Sequence, residues 1–276
     1  MTPFSVLVSV YAKEKPNWLA EALDSILVKQ SVLPSEVVLV VDGPITDELE
    51  AVILKYKSQY SETFVVHHLS SNYGLGYALN EGLKICKYDL IARMDADDIA
   101  QPNRFKVQLA FMQDNPIVDI LGSPAEDINE SGESIAVRSV PSEHDDIYKL
   151  MWTCPLIHPS VMFKKNVVLN AGSYTKSLKR RQDYELWFRC AQQGAHFANI
   201  CEPLIRYRIT DNTYARNSLK VAWQQAMIGY KGCRALSLGL KAHIGVFYPV
   251  FKALLPLKAR KVLEGVIKNF DPRGKH

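Results

Sequence analysis

The N-terminal part of the chain, up to Gly122, alternates between short apolar runs and longer segments whose apolar residues have helical spacing. The apolar runs predict buried strands at 4–10, 36–42, 63–69, 88–95 and 117–122. The intervening segments predict helices at 17–30, 47–60, 76–86 and 101–115. Continuous, β-branched strands that alternate with helices are typical of a parallel sheet covered on both faces. The pattern therefore predicts an α/β fold with a mostly parallel central sheet flanked by helices.

The pattern is less regular after Gly122. Strands are predicted at 157–163 and 203–209, with a helix at 183–194 between them. From about residue 213 the chain is predicted to be helical, apolar and basic. These segments predict an additional half of the domain and a helical C-terminal extension.

Several residues of possible functional interest fall where the predicted parallel strands end. Val10, Asp42 and Asp95 each fall at the end of one strand. Right-handed crossovers bring the carboxyl ends of such strands to one edge of the sheet, where ligands of open α/β sheets bind. We therefore expect three separate loops to meet at a ligand site.

Composition favours a folded protein with reduced cysteines. Of the 276 residues, 47% are hydrophobic and 22% are charged, which is ordinary for a soluble domain. The N-terminus opens on a predicted strand without a signal-like segment, and no apolar run has the ~20 residues that span a bilayer. The five cysteines are scattered without a CxxC pair, so we expect no zinc site.

Charge is distributed unevenly along the chain. Residues 216–276 contain 12 Lys/Arg and 2 Asp/Glu, whereas residues 1–215 contain 21 and 27. A basic extension on an acidic body suggests an anionic partner for the extension. The alternative is a basic helical hairpin packed on the domain.

Three carboxylates follow the predicted strand 88–95 within four residues: Asp95, Asp97 and Asp98. Clustered carboxylates repel one another unless a cation lies among them, and oxygen ligands suit Mg²⁺ or Mn²⁺. A calcium EF-hand loop is not expected, because its sixth and twelfth positions would be Ala100 and Lys106. The structural alternative is that Asp97 or Asp98 caps the following helix.

Other candidate residues have structural alternatives of their own. Asp183 precedes a predicted helix and could be a general base, an N-cap or both. Asp42 could accept a hydrogen bond from a ligand or begin a turn. Arg206 and Arg208 fall on one face of a predicted strand, where they could clamp a diphosphate or face solvent. His158 is more often structural than functional in such a context.

Asn72 and Gly74 begin the segment before the third helix. As a phosphate-binding signature the segment is weak, because it contains no GxGxxG. Its glycines could equally serve a loop that needs positive φ.

The order of these segments along the chain resembles family-2 glycosyltransferases of the GT-A fold. The resemblance covers about residues 4–215 and rests on a strand ending in SVY, a strand ending in VDG, the N-x-G-x-x-x-A-x-N-x-G segment, MDADD, HPSVMF, QDYELW and YR. It implies a domain at 1–215, with a nucleotide-sugar-binding half at 1–122 and an acceptor half at 123–215. The extension is then 216–276.

The resemblance also implies roles for particular residues. Asp183 would be the catalytic base, and Asp97 with Asp95 would bind Mn²⁺ or Mg²⁺. His158, Arg206 and Arg208 would be candidates for contacts with a diphosphate or the acceptor. The donor would be bound by Val10, Tyr11, Asp42, Asn72, Gly74, Asn80, Asp95, Ala96 and Asp98.

The expected activity is a metal-dependent, inverting transfer of a hexose, with glucose or galactose favoured, from a UDP-sugar to a polyprenyl-diphosphate-linked saccharide. The resemblance to bacterial O-antigen enzymes implies O-antigen or capsule synthesis at the inner face of the inner membrane. The basic extension would contact that anionic surface, and no nucleic-acid partner is expected. Two alternatives are a non-catalytic nucleotide-sugar-binding module and a sugar-1-phosphate nucleotidyltransferase, although the latter would need a Gly-rich segment after the first strand.

Overall fold

The computed structural model describes residues 2–210 and 218–255. Its strands are β1 (Phe4–Val10), β2 (Glu36–Val41), β3 (Phe64–His68), β4 (Leu90–Asp95), β5 (Ile99–Ala100), β6 (Ile120–Gly122), β7 (Ala125–Ile128), β8 (Ser134–Arg138), β9 (Met162–Lys164), β10 (Phe197–Asn199) and β11 (Ile205–Arg208). Its helices are α1 (Pro16–Leu27), α2 (Asp47–Gln59), α3 (Leu75–Ile85), α4 (Arg104–Asp114), α5 (His144–Lys149), α6 (Lys165–Asn170), α7 (Gln182–Gln192), α8 (Leu219–Ala235), α9 (Leu240–Gly245) and α10 (Tyr248–Leu254).

A seven-stranded sheet forms the centre of the domain in the order β10-β6-β9-β4-β1-β2-β3. All neighbouring strands are parallel except β9, which runs antiparallel to both β4 and β6. Every residue of β2 is buried, because helices cover both faces of the sheet. The predicted α/β architecture with a mostly parallel sheet is confirmed.

Two apolar clusters lie on opposite faces of this sheet. Alternate residues of β1 divide between them: Val6 and Val8 belong to the cluster with α1, α2 and α4, and Leu7 belongs to the cluster with α3 and α7. This alternation follows from the two-residue period of a strand. The helix pattern fits as well, since Thr46 caps α2 by accepting a hydrogen bond from the Leu49 N–H.

A second, four-stranded sheet lies beside the loops that follow β4, in the order β5-β11-β7-β8. Strand β11 pairs antiparallel with β5 and parallel with β7. Because β5 starts directly after the MDADD segment, β11 is brought next to the three aspartates. Of this sheet the sequence pattern predicted only β11, because β5 and β7 have two and four residues and β8 has no buried residue.

The prediction of a strand over 157–163 is only partly right. Residues His158–Ser160 form a 3-10 turn, and the strand β9 covers Met162–Lys164. Pro159 has a fixed φ and no N–H to donate to a sheet. The apolar run therefore begins with a turn. The two halves predicted at 1–122 and 123–215 also share one sheet, because β9 and β10 are members of it.

The described part of the C-terminal extension is helical, as the sequence predicts, and its helix α8 packs against α7. Glycines on α8 allow the close approach: a Cβ at Gly229 would lie 2.5 Å from the Tyr184 hydroxyl, and one at Gly232 would overlap the Phe188 ring. No helix of the described residues is both long and apolar enough to cross a membrane. Residues 256–276, including the predicted basic positions Lys258, Arg260, Lys261 and Lys268, lie outside the described residues.

Candidate active site

A cleft of about 750 Å³ lies at the carboxyl ends of β1, β2 and β4. Its walls come from the loops after these strands, from the start of α3, from the end of β11 and from the segment that leads into α7. The prediction that loops from several parallel strands meet at one ligand site agrees with this placement.

At one part of the cleft, Asp42 fixes the loop that follows β3. Its Oδ1 accepts a hydrogen bond from the Tyr73 N–H and its Oδ2 accepts one from the Gly74 N–H, each at 2.8 Å. The Asn72 amide donates to the Asp42 carbonyl at 3.1 Å. Gly43 has φ +86°, and a Cβ there would lie 2.5 Å from the backbone nitrogen of Asn72. Asp42 thus orders the loop, and its carboxylate is part of the cleft lining.

Residues Asp95–Asp98 of the MDADD segment, which we call the acid turn, lie at the centre of the cleft. Asp95, Ala96 and Asp97 line it, whereas Asp98 is buried and accepts a hydrogen bond from the Arg208 N–H at 2.8 Å. Helix α4 begins only at Arg104, and no side chain caps its N-terminus. The capping alternative for Asp97 or Asp98 is therefore wrong.

Two buried arginines hold the acid turn in place. Arg93 forms an ion pair with Asp95 from within the same strand. Arg208 donates from Nε to the Asp97 carbonyl at 2.8 Å and from Nη2 to Glu21 on α1 at 2.6 Å. Its guanidinium also lies 5.0 Å from the Trp18 ring. The turn is consequently connected to α1, β4 and β11 at once.

Two carboxylates of the acid turn, those of Asp97 and Asp98, are costly to ionise in this environment. Burial, Asp95 and Glu14 raise the pKa of Asp97 to about 7. Burial and the charges of Asp97 and Asp95 raise the pKa of Asp98 well above its ordinary value. Desolvation and like charges both favour the protonated form, so a bound cation would relieve the cost.

The acid turn fits a hard divalent cation. One oxygen from each of Asp95, Asp97 and Asp98 can lie within 4.8 Å of the other two. Asp98 Oδ2 is buried and has no hydrogen-bond partner among the described residues. An all-oxygen set with an unsatisfied buried acceptor suits Mg²⁺ or Mn²⁺, which would complete its shell with water and phosphate oxygens.

Asp183 lines the same cleft from the first turn of α7. The helix N-cap is Arg181, which has no side-chain cap hydrogen bond and a left-handed backbone with φ 64°. Asp183 therefore does not cap the helix, although it lies near the positive end of the helix dipole. A carboxylate so placed is chemically able to accept a proton.

Five predicted site residues have no place in the cleft wall, and one of them is Asp98, which is buried. Val10 is buried in the apolar cluster, and only its neighbour Tyr11 lines the cleft. Asn80 uses its amide to bind the Tyr174 backbone, at 2.7 Å and 2.9 Å. His158 is buried with Nε2 2.9 Å from the Tyr174 hydroxyl. Arg206 lies 3.4 Å from Glu126.

The physical reason for these corrections is local. Side chains alternate across a strand, so Val10 points into the core while the residues on either side face the cleft. Asn80 and His158 satisfy buried polar groups, which must be paired. Arg208 does reach the cleft, but its guanidinium holds the acid turn.

Several cleft residues were not singled out in the sequence. They are Ser9 on β1, Lys13 and Glu14 after β1, Leu75 at the start of α3, Lys179, Arg180 and Arg181 before α7, Gln182 at its first position, and Tyr207 on β11. The run of cations directly before Asp183 is visible in the sequence as KRRQD and could have been found. Tyr207 had no such signal, because only the pairing of β11 with β5 brings it to the acid turn.

The fold is of the GT-A type. Solved structures support the fold: the Staphylococcus aureus TarS 1–349 complex with UDP-GlcNAc superposes with a TM-score of 0.70 at 17% identity, covering 98% of this chain and 80% of that one. The Pyrobaculum calidifontis mannosyltransferase PcManGT, in complex with GDP-Man and Mn²⁺, gives 0.66 at 15% identity over 98% and 81%.

Sequence comparison specifies the family. Residues 5–187 match the family described as "Glycosyl transferase family 2", and the chain belongs to that family. It is 35% identical over 272 residues, 97% of both chains, to the Escherichia coli UDP-Gal:alpha-D-GlcNAc-diphosphoundecaprenol beta-1,3-galactosyltransferase. It is 38% identical over 206 residues, 74% of this chain and 76% of the relative, to the Erwinia amylovora amylovoran biosynthesis glycosyltransferase AmsE.

Proposed function

We propose that the protein is a metal-dependent, inverting hexosyltransferase that uses a UDP-hexose, with galactose or glucose favoured. The acceptor is a saccharide linked through a diphosphate to a lipid, in bacterial surface polysaccharide synthesis. The observation that carries the proposal is the presence of Asp183 and the acid turn in one cleft, on separate elements. A base and a charge-stabilising centre are the two parts that sugar transfer requires.

The donor nucleotide is assigned to the side of the cleft built by β1 and β2. Tyr11 offers an aromatic ring, and the Asp42 carboxylate lines the cleft beside the ordered loop at Asn72–Gly74. A pyrimidine base can donate a hydrogen bond from an N–H group to such a carboxylate. We assign Asp95 to the ribose and Asp97 to the cation.

A divalent cation bound by the acid turn would neutralise the diphosphate of the leaving nucleotide. Arg208 fixes the backbone of Asp97, which orients that carboxylate toward the cleft. Arg93 offsets part of the negative charge from beneath the turn. These residues prepare the site before the substrates arrive.

Asp183 accepts the proton of the acceptor hydroxyl as the hydroxyl oxygen attacks the anomeric carbon. The bond from this carbon to the nucleotide phosphate breaks in the same displacement, and the electron pair leaves with UDP. A single displacement inverts the configuration, so an α-linked donor gives a β-linked product. The name of the Escherichia coli relative, a beta-1,3-galactosyltransferase that uses UDP-Gal, agrees with this outcome.

The function is tested by supplying UDP-galactose and UDP-glucose with an alkyl-diphosphate-linked GlcNAc and Mn²⁺. We expect the wild type to form a β-linked disaccharide and Asp183→Asn to lower kcat at least about 100-fold, in the range of general-base catalysis. The matched control is Asp145→Asn, an exposed acid in the first turn of α5 that lies outside the cleft wall.

Other outcomes would change the proposal. If Asp183→Asn transfers sugar at the wild-type rate, the base is not Asp183. A wild type that binds UDP-sugars but transfers none to any acceptor would favour a binding module. Release of diphosphate from UTP and a sugar 1-phosphate would instead favour a nucleotidyltransferase.

The C-terminal helices are proposed to contact the anionic inner face of the bacterial inner membrane. Their apolar face comprises Trp223, Ile244, Phe247, Val250 and Phe251. The side chains of Trp223, Ile244 and Phe251 are 54%, 62% and 63% exposed. Residues 218–255 contain five Lys/Arg and no acidic residue, a charge that complements anionic lipid.

Flotation with phosphatidylglycerol vesicles tests the membrane contact. Ile244→Ser with Phe251→Ser should lower vesicle binding about tenfold or more, because each apolar side chain contributes roughly 1.5–3 kcal/mol when buried. The control is Ile135→Ser with Val137→Ser, which removes two similarly exposed side chains from β8. Equal flotation of the two double variants would contradict the assignment.

A further inference from the structure

Three successive cations line the cleft directly before α7. Lys179, Arg180 and Arg181, which we call the basic strip, all contribute to its wall. Lys179 is exposed, and the two arginines are half-buried. The chain contains no acidic residue from Ala171 to Gln182. Lysine and arginine side chains form charge-assisted hydrogen bonds with phosphate oxygens, so three of them in one wall of a cleft suit a multivalent anion.

The strip and Asp183 are held in one turn of chain. Arg181 adopts a left-handed conformation with φ 64° and ψ 21°, and α7 starts at the next residue. Asp183 follows two residues later. A group bound to the strip is therefore adjacent to whatever molecule gives its proton to Asp183.

The diphosphate of the donor has a different place. It belongs with the acid turn, where three carboxylates fit the cation that would bridge it. The acid turn ends β4, whereas the strip leads into α7. Asp183 faces the acceptor hydroxyl in the proposed reaction, so the anion beside Asp183 belongs to the acceptor.

A lipid-linked monosaccharide carries its diphosphate on the same ring as the reacting hydroxyl. One sugar ring then separates the strip from the base. Tyr184, the residue after Asp183, contacts α8 at Gly229, and α8 carries part of the exposed apolar face. A lipid chain that leaves the strip along these helices would reach a membrane bound to that face.

From this arrangement we infer that Lys179, Arg180 and Arg181 form a subsite for the diphosphate of the acceptor. The inference rests on the proposed glycosyl transfer to a lipid-diphosphate acceptor. Arginine and lysine make charge-assisted hydrogen bonds with phosphate oxygens, and these bonds are stronger than neutral ones. The strip therefore distinguishes diphosphate-linked acceptors from neutral glycosides.

The test compares two acceptors that differ only in the diphosphate: undecyl-diphosphate-linked GlcNAc and undecyl GlcNAc. For Lys179→Ala with Arg180→Gln, we expect KM for the first to rise about tenfold or more, since each lost charged hydrogen bond is worth tenfold or more. KM for undecyl GlcNAc and for the UDP-sugar should change less than twofold. The matched control is Lys176→Ala, because Lys176 belongs to the same loop but contacts Glu81 and Tyr77 outside the cleft.

Binding is measured in parallel by calorimetry, with undecyl-diphosphate-linked GlcNAc titrated into protein saturated with UDP and Mn²⁺. The double variant should bind about tenfold more weakly than wild type. A rise in the KM of the UDP-sugar would overturn the proposed subsite and assign the basic strip to the donor. Equal effects on the KM of both acceptors would show that the strip does not bind the acceptor diphosphate. If the wild type transfers no sugar but the binding difference persists, the proposed function fails while the diphosphate subsite stands.

Discussion

At the level of single residues, Arg208 shows how the surroundings decide a role that sequence leaves open. Arg206 and Arg208 are two residues apart on one strand and so share a face, which suggested that the pair could clamp a diphosphate. In the fold, the Arg206 guanidinium donates to the Gly132 carbonyl at 2.5 Å, and that of Arg208 is buried against the acid turn and Glu21. A buried guanidinium needs such partners, so Arg208 acts by positioning Asp97.

His158 permits a prediction about pH. Burial and the charge of Arg93 hold its pKa well below the ordinary 6.5, so the folded state keeps a neutral imidazole. The unfolded state takes up a proton below pH 6.5, and the folded state does not. The contribution of His158 to stability is therefore present above pH 6.5 and is lost as pH falls, by up to about 1.4 kcal/mol per pH unit.

Urea unfolding of His158→Gln between pH 7.5 and 5.5 measures this effect. The variant should be less stable at pH 7.5, because the contact with the Tyr174 hydroxyl is lost. Its stability should also fall less steeply toward pH 5.5 than that of the wild type. The control His68→Gln, at an exposed strand end, should keep the wild-type slope. Parallel curves for His158→Gln and wild type would contradict the prediction.

At the level of elements, the packing of α8 on α7 connects the extension to the candidate base. Gly232 faces the Phe188 ring so closely that a Cβ would overlap it. We expect Gly232→Ala to lower the free energy of unfolding by about 1–3 kcal/mol through overpacking, despite the better helix propensity of alanine. Urea denaturation measures the change.

Gly239→Ala is the matched control for this substitution. No atom lies within 4 Å of a Cβ at Gly239, and its φ of −66° suits any residue. We expect it to change stability by less than about 1 kcal/mol. Similar losses in both variants would show that α8 does not pack on α7 as described.

At the level of the whole molecule, the site exists only where several elements meet, and its cation should bind together with the nucleotide. Three clustered carboxylates hold a cation poorly without phosphate oxygens. We expect Mn²⁺ alone to raise the Tm by less than about 1 °C and Mn²⁺ with UDP by about 5 °C, because bound ligand stabilises the fold by mass action. Thermal unfolding monitored by circular dichroism measures both shifts.

Asp97→Asn tests whether the shift depends on the acid turn. The variant should lose most of the joint effect of Mn²⁺ and UDP on the Tm. Asp145→Asn, on exposed α5, should retain it. If Mn²⁺ alone raised the Tm as much as Mn²⁺ with UDP, the cation would not depend on the nucleotide for binding, and the prediction would be wrong.

The amino-acid pattern was enough to predict the mostly parallel sheet and several candidate residues at its edge. Hydrophobic periodicity is a local property, and parallel strands with right-handed crossovers leave few topologies. For this reason Asp42 and Asp95 could be named from strand ends, whereas Asp97 came from the carboxylate cluster and Asp183 from the start of a predicted helix and the family resemblance. All four line one cleft.

Which polar residues face the cleft depends on contacts between distant parts of the chain. Asn80 and His158 pair with Tyr174, which is distant from Asn80 along the chain. Lys179 and Tyr207 reach the acid turn's cleft through loop geometry and the pairing of β11 with β5. Partners distant in sequence leave no periodic signal, yet a buried polar group must find one. Side-chain roles were therefore settled by contacts that form only when the chain folds.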